Sequence, residues 1–317
     1  MGTTTTQIKQ PLFSRKHGGG MFSVIDEHIT TGNIFWVDSG QTSTGAITQD
    51  VGFGLTPDQP FLTLASALSQ CTTANGDMIF LMPGHAETPV TTITINVAGV
   101  TIIGLGNGAN RPSFTAAHTV GATDVLDITV ANVTIKNIVI PTGANSGGDS
   151  QIVNIAAGGH DFLMEDCKIE MGAINLECFT VAADAKRGTL KNIKVVGTAA
   201  NPNTIITFEG VNDKWEIDGL DGIFTAATDI DGPVVYQNAV VIDDLLIRNV
   251  RVLPIEAAGV FLDFNSASVG IVDNATGYTL AATVGEMVDL GSMMFNDVKL
   301  GGAGVLGMTY PNATLAA

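Results

Sequence analysis

The sequence is short of charge, of aromatic rings, of cysteine and above all of basic residues. Only 14% of its 317 residues are charged, against about a quarter in a typical soluble domain. With 45% hydrophobic residues, this excludes a disordered chain and a charge-laced coiled coil. Aromatic residues make up 6%. Cys71, Cys167 and Cys178 are too few and too scattered for a disulfide framework or a zinc site. Cys167 and Cys178 fall in apolar strand-like runs, as buried thiols do, which fits synthesis in a reducing cytoplasm. No run of about 18 apolar residues exists, so no membrane span is expected. The first 30 residues lack the apolar stretch of a secretory signal. Lys and Arg number 14 against 31 Asp and Glu, a formal charge of −17. Such a chain repels phosphate backbones, which argues against general nucleic-acid binding. Glycine is plentiful, at 37 residues. An apolar, glycine-rich, charge-poor chain suggests short strands, small packed side chains and buried contacts between subunits.

Residues 1–33 differ from the rest. TTTTQ, Arg15-Lys16-His17 and a glycine triplet read as an extended arm without a core of its own. The arm carries Lys9, Arg15 and Lys16 against Asp26 and Glu27, on an otherwise acidic chain. Docking through Lys9, Arg15, Lys16 and His17 to an acidic partner surface and a plain unstructured terminus both remain open. Residues 34–94 hold a leading strand, a Gly/Thr loop, a helix and a first coil. Apolar residues at 61, 64, 65 and 68 follow helical spacing, and Pro60 suits a helix start, so a helix is expected over 61–71. Met78 to Met82 read as a buried strand after the Asn75-Gly76 turn.

Between residues 95 and 300 a motif recurs: IKNIVI, MEDCKI, LKNIKV, IRNVRV and FNDVKL. Each runs apolar, polar, Asn or Asp, apolar, polar, apolar. The Asn/Asp positions are Asn137, Asp166, Asn192, Asn249 and Asp297, with weaker copies centred on Asp218 and Asp273. A second strand precedes the copies, as in DVLDITV, QIVNIAA, CFTVAA, IITFEG, VFLDFN and MVDL. Strand-only units recurring about every 27 residues define a solenoid, a parallel β-helix, because one coil cannot bury its inner face alone. Asn and Asp suit a bend that needs left-handed backbone, and stacked copies can form a ladder. Rungs about 4.8 Å apart give eight to nine coils a length of roughly 40 Å. The helix would cap the first coil and protect its open edge. Residues 301–317, small and apolar, would cap the last coil or pack on a neighbouring subunit.

FWVDSG (35–40), GFGLTPDQPFLTLASAL (52–68) and NGDMIFLMPGHAET (75–88) together resemble the N-terminal module of phage-encoded right-handed β-helix proteins, which are similar to the pectate-lyase-like superfamily. The match is close over about 55 residues and architectural beyond them. The resemblance implies a right-handed parallel β-helix. It also implies a virion protein, with head decoration, fibre and spike proteins all represented in the family.

Several groups are candidates for chemistry. Asp38, and His85 with Glu87, could serve as an acid–base pair or metal ligands, or simply hold a turn after Pro83-Gly84. Glycosidase chemistry needs two carboxylates across a cleft; Glu165 or Asp166 with Glu170, Asp243 with Asp244, and Asp229 with Asp231 are the pairs available. Calcium at loop 229–232 is a further alternative. None of these forms a recognisable lyase cluster, so neither catalytic residues nor a cofactor or metal is assigned.

A non-catalytic pattern is sharper. Two positions after the repeat Asn/Asp stand Val139, Lys168, Lys194, Arg251 and Lys299; one position before it stand Lys136, Glu165, Lys191, Arg248 and Asn296. In register, the first set forms a broken basic column, either a contact stripe for a subunit, capsid or anionic glycan, or a set of cross-strand partners for the surplus carboxylates. The expectation is a non-enzymatic structural protein of a tailed phage: a head decoration or cement protein, homotrimeric, bound to the major capsid protein partly through its arm, and ending directly after the last coil. The alternative is a tail spike or fibre that binds or cleaves a bacterial polysaccharide. The absence of a signal argues against a secreted adhesin.

Overall fold

In the computed structural model, the described residues are 13–15, 22–24, 32–40, 53–117, 124–143, 150–172, 175–198, 204–224, 234–237, 241–255, 261–279, 288–289, 292–302 and 305–310. They form a right-handed parallel β-helix, all-β apart from one short α-helix and one 3-10 turn. A 17-stranded sheet carries two rows of rungs that meet at a corner. The row before the corner climbs from Ile34–Val37 through Met78–Leu81, Thr101–Gly104, Thr134–Lys136, Leu163–Glu165, Thr189–Lys191 and Glu216–Asp218. The row after it runs from Ala86–Glu87 through Ser113–Phe114, Val139–Ile140, Lys168–Met171 and Lys194–Gly197 to Asp221–Ile223. Leu245–Ile255, Val269–Thr279 and Ser292–Gly302 span both rows. The strands expected ahead of each repeat stack as a separate eight-stranded sheet. It also holds Val235–Gln237, which the repeat pattern did not flag.

The rungs stack because identical register positions are apolar. Phe35, Ile79, Ile102, Ile135, Met164, Leu190, Ile217, Ile247, Val272 and Phe295 form one continuous inward column. All are buried within a single core. Each such side chain contributes about 1.5–3 kcal/mol relative to exposure, and none could do so without the coil above and below.

The corner is where the repeat Asn/Asp acts. Asn137, Asp166, Asn192, Asn249 and Asp297 all have φ between 47° and 57°. This left-handed backbone is tolerated by Asn and Asp and disfavoured for most residues. The two weaker copies sit one residue later than their sequences suggest. Lys191 aligns with Asp218 and Arg248 with Asp273, so the corner residues there are Gly219 (φ 79°) and Asn274 (φ 51°). Conformation, not acidity, selects the position: Gly and Asn satisfy it where Asp precedes.

The helix is shorter than the sequence suggests. It covers Leu64–Leu68, because Phe61 is held beside the leading strand by a bridge to Val37: Phe61 N–H donates to Trp36 O at 2.8 Å, and Asp38 N–H donates to Phe61 O at 2.8 Å. The chain turns helical only after Thr63, whose hydroxyl accepts from Ser66 N–H at 3.2 Å. Its buried residues are Leu64, Ala67 and Leu68, while Ala65, expected on the inner face, is exposed. At the other end, Val305–Tyr310 pairs antiparallel with Ser292–Gly302. In the arm, Phe13–Arg15 pairs antiparallel with Phe22–Val24; Lys9, Lys16 and His17 lie outside the described residues. Among the described residues no helix is long and apolar enough to cross a membrane.

Candidate functional site

The N-terminal module ties its own parts together. His85 is fully buried, and its Nδ1 accepts from Ser39 N–H at 3.0 Å. That places the ring proton on Nε2, 3.4 Å from Glu87 Oε2. The same Glu87 oxygen accepts from Leu64 N–H at 2.9 Å, satisfying a first-turn amide of the helix. The ring of His85 meets Phe114 edge-on, with centroids 5.6 Å apart. Asp38 Oδ1 accepts from Gly40 N–H at 2.9 Å. His85 and Glu87 thus join the leading strand, the helix and the first coils. Asp77, which the sequence reading did not single out, does more of the same. It is buried, and it accepts from Asn33 N–H, Thr72 N–H and Asn75 Nδ2, each at 2.6 Å. Its place directly after the Asn75-Gly76 turn was the available signal.

Three of the carboxylates considered for glycoside chemistry, Glu165, Asp166 and Glu170, are also engaged. Glu165 lies 2.9 Å from both Lys136 and Lys191. Hydrogen bonds from these two ammonium groups hold it below the usual carboxylate range, the opposite of what a general acid requires. Glu170 binds Lys168 at 2.6 Å. Asp166 sits at the corner and accepts from Asn192 Nδ2 at 3.0 Å. Asp243, which ends the two-residue strand Ile242–Asp243, and Asp244 just after it are exposed neighbours. Asp229, Asp231 and the loop 229–232 lie outside the described residues. Among the described residues, no group of three His, Cys, Asp or Glu is placed to hold a metal ion.

A second carboxylate patch, unseen in the sequence, lies on the eight-stranded sheet. Asp127 accepts from Asn154 Nδ2 at 2.9 Å, and Glu177 accepts from Thr180 and Thr207 hydroxyls at 2.7 and 2.9 Å. Burial, then the Asp127 charge, pushes Asp124 up to about 6. Burial raises Asp127 and Glu209 as well. Its members come from different coils, whose paired residues stand 27 apart in sequence, so only the register reveals it.

The two outer columns exist in register. The later one reads Val139, Lys168, Lys194, Asp221, Arg251, Thr276, Lys299. Arg251 binds Asp221 at 2.6 Å and Lys299 binds Asp297 at 3.0 Å. The earlier one reads Lys136, Glu165, Lys191, Asp218, Arg248, Asp273, Asn296. The one-residue shift at the weak copies brings Asp218 and Asp273 into it, so its charges alternate along the rod. Arg248 Nε lies 3.0 Å from Asp218, and Asn296 Nδ2 donates to Asp273 at 2.6 Å. Beside it runs the corner ladder, with Asn249 Nδ2 donating to Asp218 at 2.8 Å and Asn274 Nδ2 to Asn249 at 2.9 Å.

Over the first of these rungs lies an open trough of about 920 Å³. Gly108, at the start of the 3-10 turn Gly108–Asn110, and Arg111 line it together with Thr101, Thr134, Lys136, Asn137, Asn192 and Lys194. Arg111 Nη2 donates to Ile138 O at 3.0 Å and to Asp166 O.

Fold and surface together define a parallel β-helix on which, among the described residues, most lysines and arginines are paired with a carboxylate nearby in sequence or on an adjacent rung. No protein-family model and no curated protein matches the chain. Among solved structures it is similar to a rhamnogalacturonan lyase, with a TM-score of 0.46 and 11% identity over 84% of this chain and 87% of that one. It is also similar to ORF18 of Geobacillus virus E2, with a TM-score of 0.36 and 10% identity over 75% of this chain and 57% of that one.

Proposed function

We propose that the chain is a structural protein of a tailed-phage particle: a decoration protein that stands on the head as a trimer of β-helices. The observation that carries this reading is how the reactive groups of the conspicuous motifs are used. In WVDSG and PGHAE, Ser39, His85 and Glu87 fasten strand, helix and coil to one another. On the rod, Glu165, Glu216, Asp218 and Asp221 are bound by Lys and Arg of adjacent rungs. Groups so committed stiffen a rod. The resemblance of residues 35–88 to phage-encoded β-helix proteins supports the particle context, and a net charge of −17 disfavours a genome-binding role. In this reading the major capsid protein is the partner of the N-terminal arm, the other two copies are lateral partners, and no cofactor takes part.

Cryo-electron microscopy of purified particles with quantitative mass spectrometry tests it. Hundreds of copies on the head lattice, with residues 1–33 against the shell, are expected. A few copies confined to the tail would overturn it in favour of a spike or fibre. Light scattering after size exclusion tests the trimer separately: a species of about 33 kDa would remove it.

A further inference from the structure

The chain contains two Asn-Gly dipeptides, Asn75-Gly76 and Asn107-Gly108. In such a pair the amide nitrogen of the glycine can reach the carbonyl carbon of the asparagine side chain, because glycine has no Cβ to bar the approach. The fold treats the two pairs oppositely. Asn75 donates through Nδ2 to the buried Asp77 at 2.6 Å, and its own N–H donates to Thr72 O at 3.2 Å. Gly32 packs against Gly76 so closely that a Cβ on it would stand 2.6 Å from the Gly76 carbonyl. Asn107, in contrast, is exposed, and its side chain makes no hydrogen bond among the described residues. It stands between Gly106, at φ 97°, and Gly108, at φ 59°. Gly108 begins the 3-10 turn, so its N–H has no partner within that turn, and nothing lies within 4 Å of where its Cβ would be. Asn107 is extended, with ψ at 156°; rotating it to close a ring breaks the exposed turn bond from Asn110 N–H to Asn107 O, at 3.1 Å.

We propose that Asn107-Gly108 is a self-modification site, at which the native chain converts a side-chain amide into a carboxylate without an enzyme. The Gly108 nitrogen gives up its proton to solvent base and bonds to Cγ of Asn107. The Cγ–Nδ2 bond then breaks, ammonia leaves, and a five-membered succinimide remains. Water opens either of its carbonyls. Cleavage between Cγ and the Gly108 nitrogen gives aspartate at position 107. Cleavage between the Asn107 main-chain carbonyl and that nitrogen gives isoaspartate, whose main chain runs through the former side chain. No electrons are transferred: one water enters and one ammonia departs. The surroundings favour the charged product. Asn107 lines the trough together with Arg111 and Lys194. Of the eleven lysines and arginines beyond residue 100, these two alone have no carboxylate within 4.0 Å among the described residues. A new negative charge there meets cations still unneutralised, on a chain whose formal charge of −17 opposes it elsewhere. This chemistry belongs to the chain itself, whatever its place in a particle.

Mass spectrometry of the full-length protein, aged in mildly alkaline buffer and then digested, tests this, with electron-transfer fragmentation to separate isoaspartate from aspartate. In the native protein position 107 should gain one mass unit, in both product forms, at least tenfold faster than position 75. In guanidinium the two positions should react at similar rates, because only the fold distinguishes them. Gly108→Ala should slow the conversion at least fivefold while the circular dichroism spectrum stays unchanged, since the added Cβ meets no neighbour. Asn107→Asp should melt higher than wild type, by a margin that shrinks as salt rises. An Asn107 that survives ageing in the native protein would overturn the site, and so would a native Asn75 that reacts as fast. Asn107→Asp melting below wild type at low salt would overturn the assignment of Arg111 and Lys194 as the groups that favour the product.

Discussion

Substitution of Asn249 separates the two jobs of the corner residue, backbone conformation and side-chain laddering. Asn249 holds φ at 54°, donates to Asp218 and accepts from Asn274. In Asn249→Ala the left-handed backbone costs about 1 kcal/mol more than it does for Asn. The two exposed side-chain bonds contribute about 0.5 kcal/mol each, so the loss should total about 2 kcal/mol. Asn249→Gly loses the same bonds but meets no steric penalty at positive φ, so it should cost only about 1 kcal/mol. The molecule already accepts this solution at Gly219, which occupies the same register position on the rung between Asn192 and Asn249, with φ at 79°. Guanidinium titrations followed by circular dichroism would give the midpoints, and equal slopes would confirm that the substitutions act on stability alone. The ordering wild type, Gly, Ala is the expected result. If Gly proves as damaging as Ala, or worse, left-handed backbone does not limit the corner and the reading of the repeat is wrong.

Asp77→Ala strands two backbone N–H groups and an amide that now share one buried carboxylate. It should cost about 4 kcal/mol and speed hydrogen exchange at residues 32–38 and 72–78; unchanged exchange there would refute the tie. Asp124 has its folded pKa raised to about 6, chiefly by burial, so the native state binds the extra proton. Its contribution is greatest below the ordinary value of 3.8 and is lost as pH rises through 6. Thermal melts should therefore show Asp124→Asn more stable than wild type at pH 7, with a shallower decline between about pH 4 and 6; parallel profiles would contradict this. Burial pushes the thiols of Cys71 and Cys167 up to about 12 and that of Cys178 well above its ordinary value. A thiol-exchange reagent at pH 8 should react slowly with the native protein and fully only after denaturation; a fast-reacting native thiol would refute that burial.

The solenoid was legible because its corner makes a local demand. Asn137, Asp166, Asn192, Asn249 and Asp297 meet it with side chains rare at such positions by chance, and their spacing gives the rung length. Asp218 and Asp273 misled because Asp also fits the position before the corner, where pairing with Arg248 favours it. The helix was overextended because spacing cannot show that the backbone of Phe61 is already bonded to the leading strand. The later outer column was visible from the repeat, but which of its cations stay unpaired was not. That depends on whether the carboxylate one rung away, such as Asp221, is taken from the other side by Arg251. Likewise Asp124, Glu177 and Glu209 come from separate coils and share no motif, so only the stacked sheet brings them together.

The alternating column has a consequence for how the rod finds its own order. Its coils share a corner residue and an apolar interior, so hydrophobic burial alone barely distinguishes one coil from the next. The sequence of signs does. If one coil were skipped during stacking, Lys136 would abut Lys191, Glu165 would abut Asp218, Lys191 would abut Arg248 and Asp218 would abut Asp273. Each of these four errors sets like charge against like across a single strand spacing. The column is therefore a parity check written along the outside of the molecule, one that a single skipped coil between Lys136 and Asp273 fails.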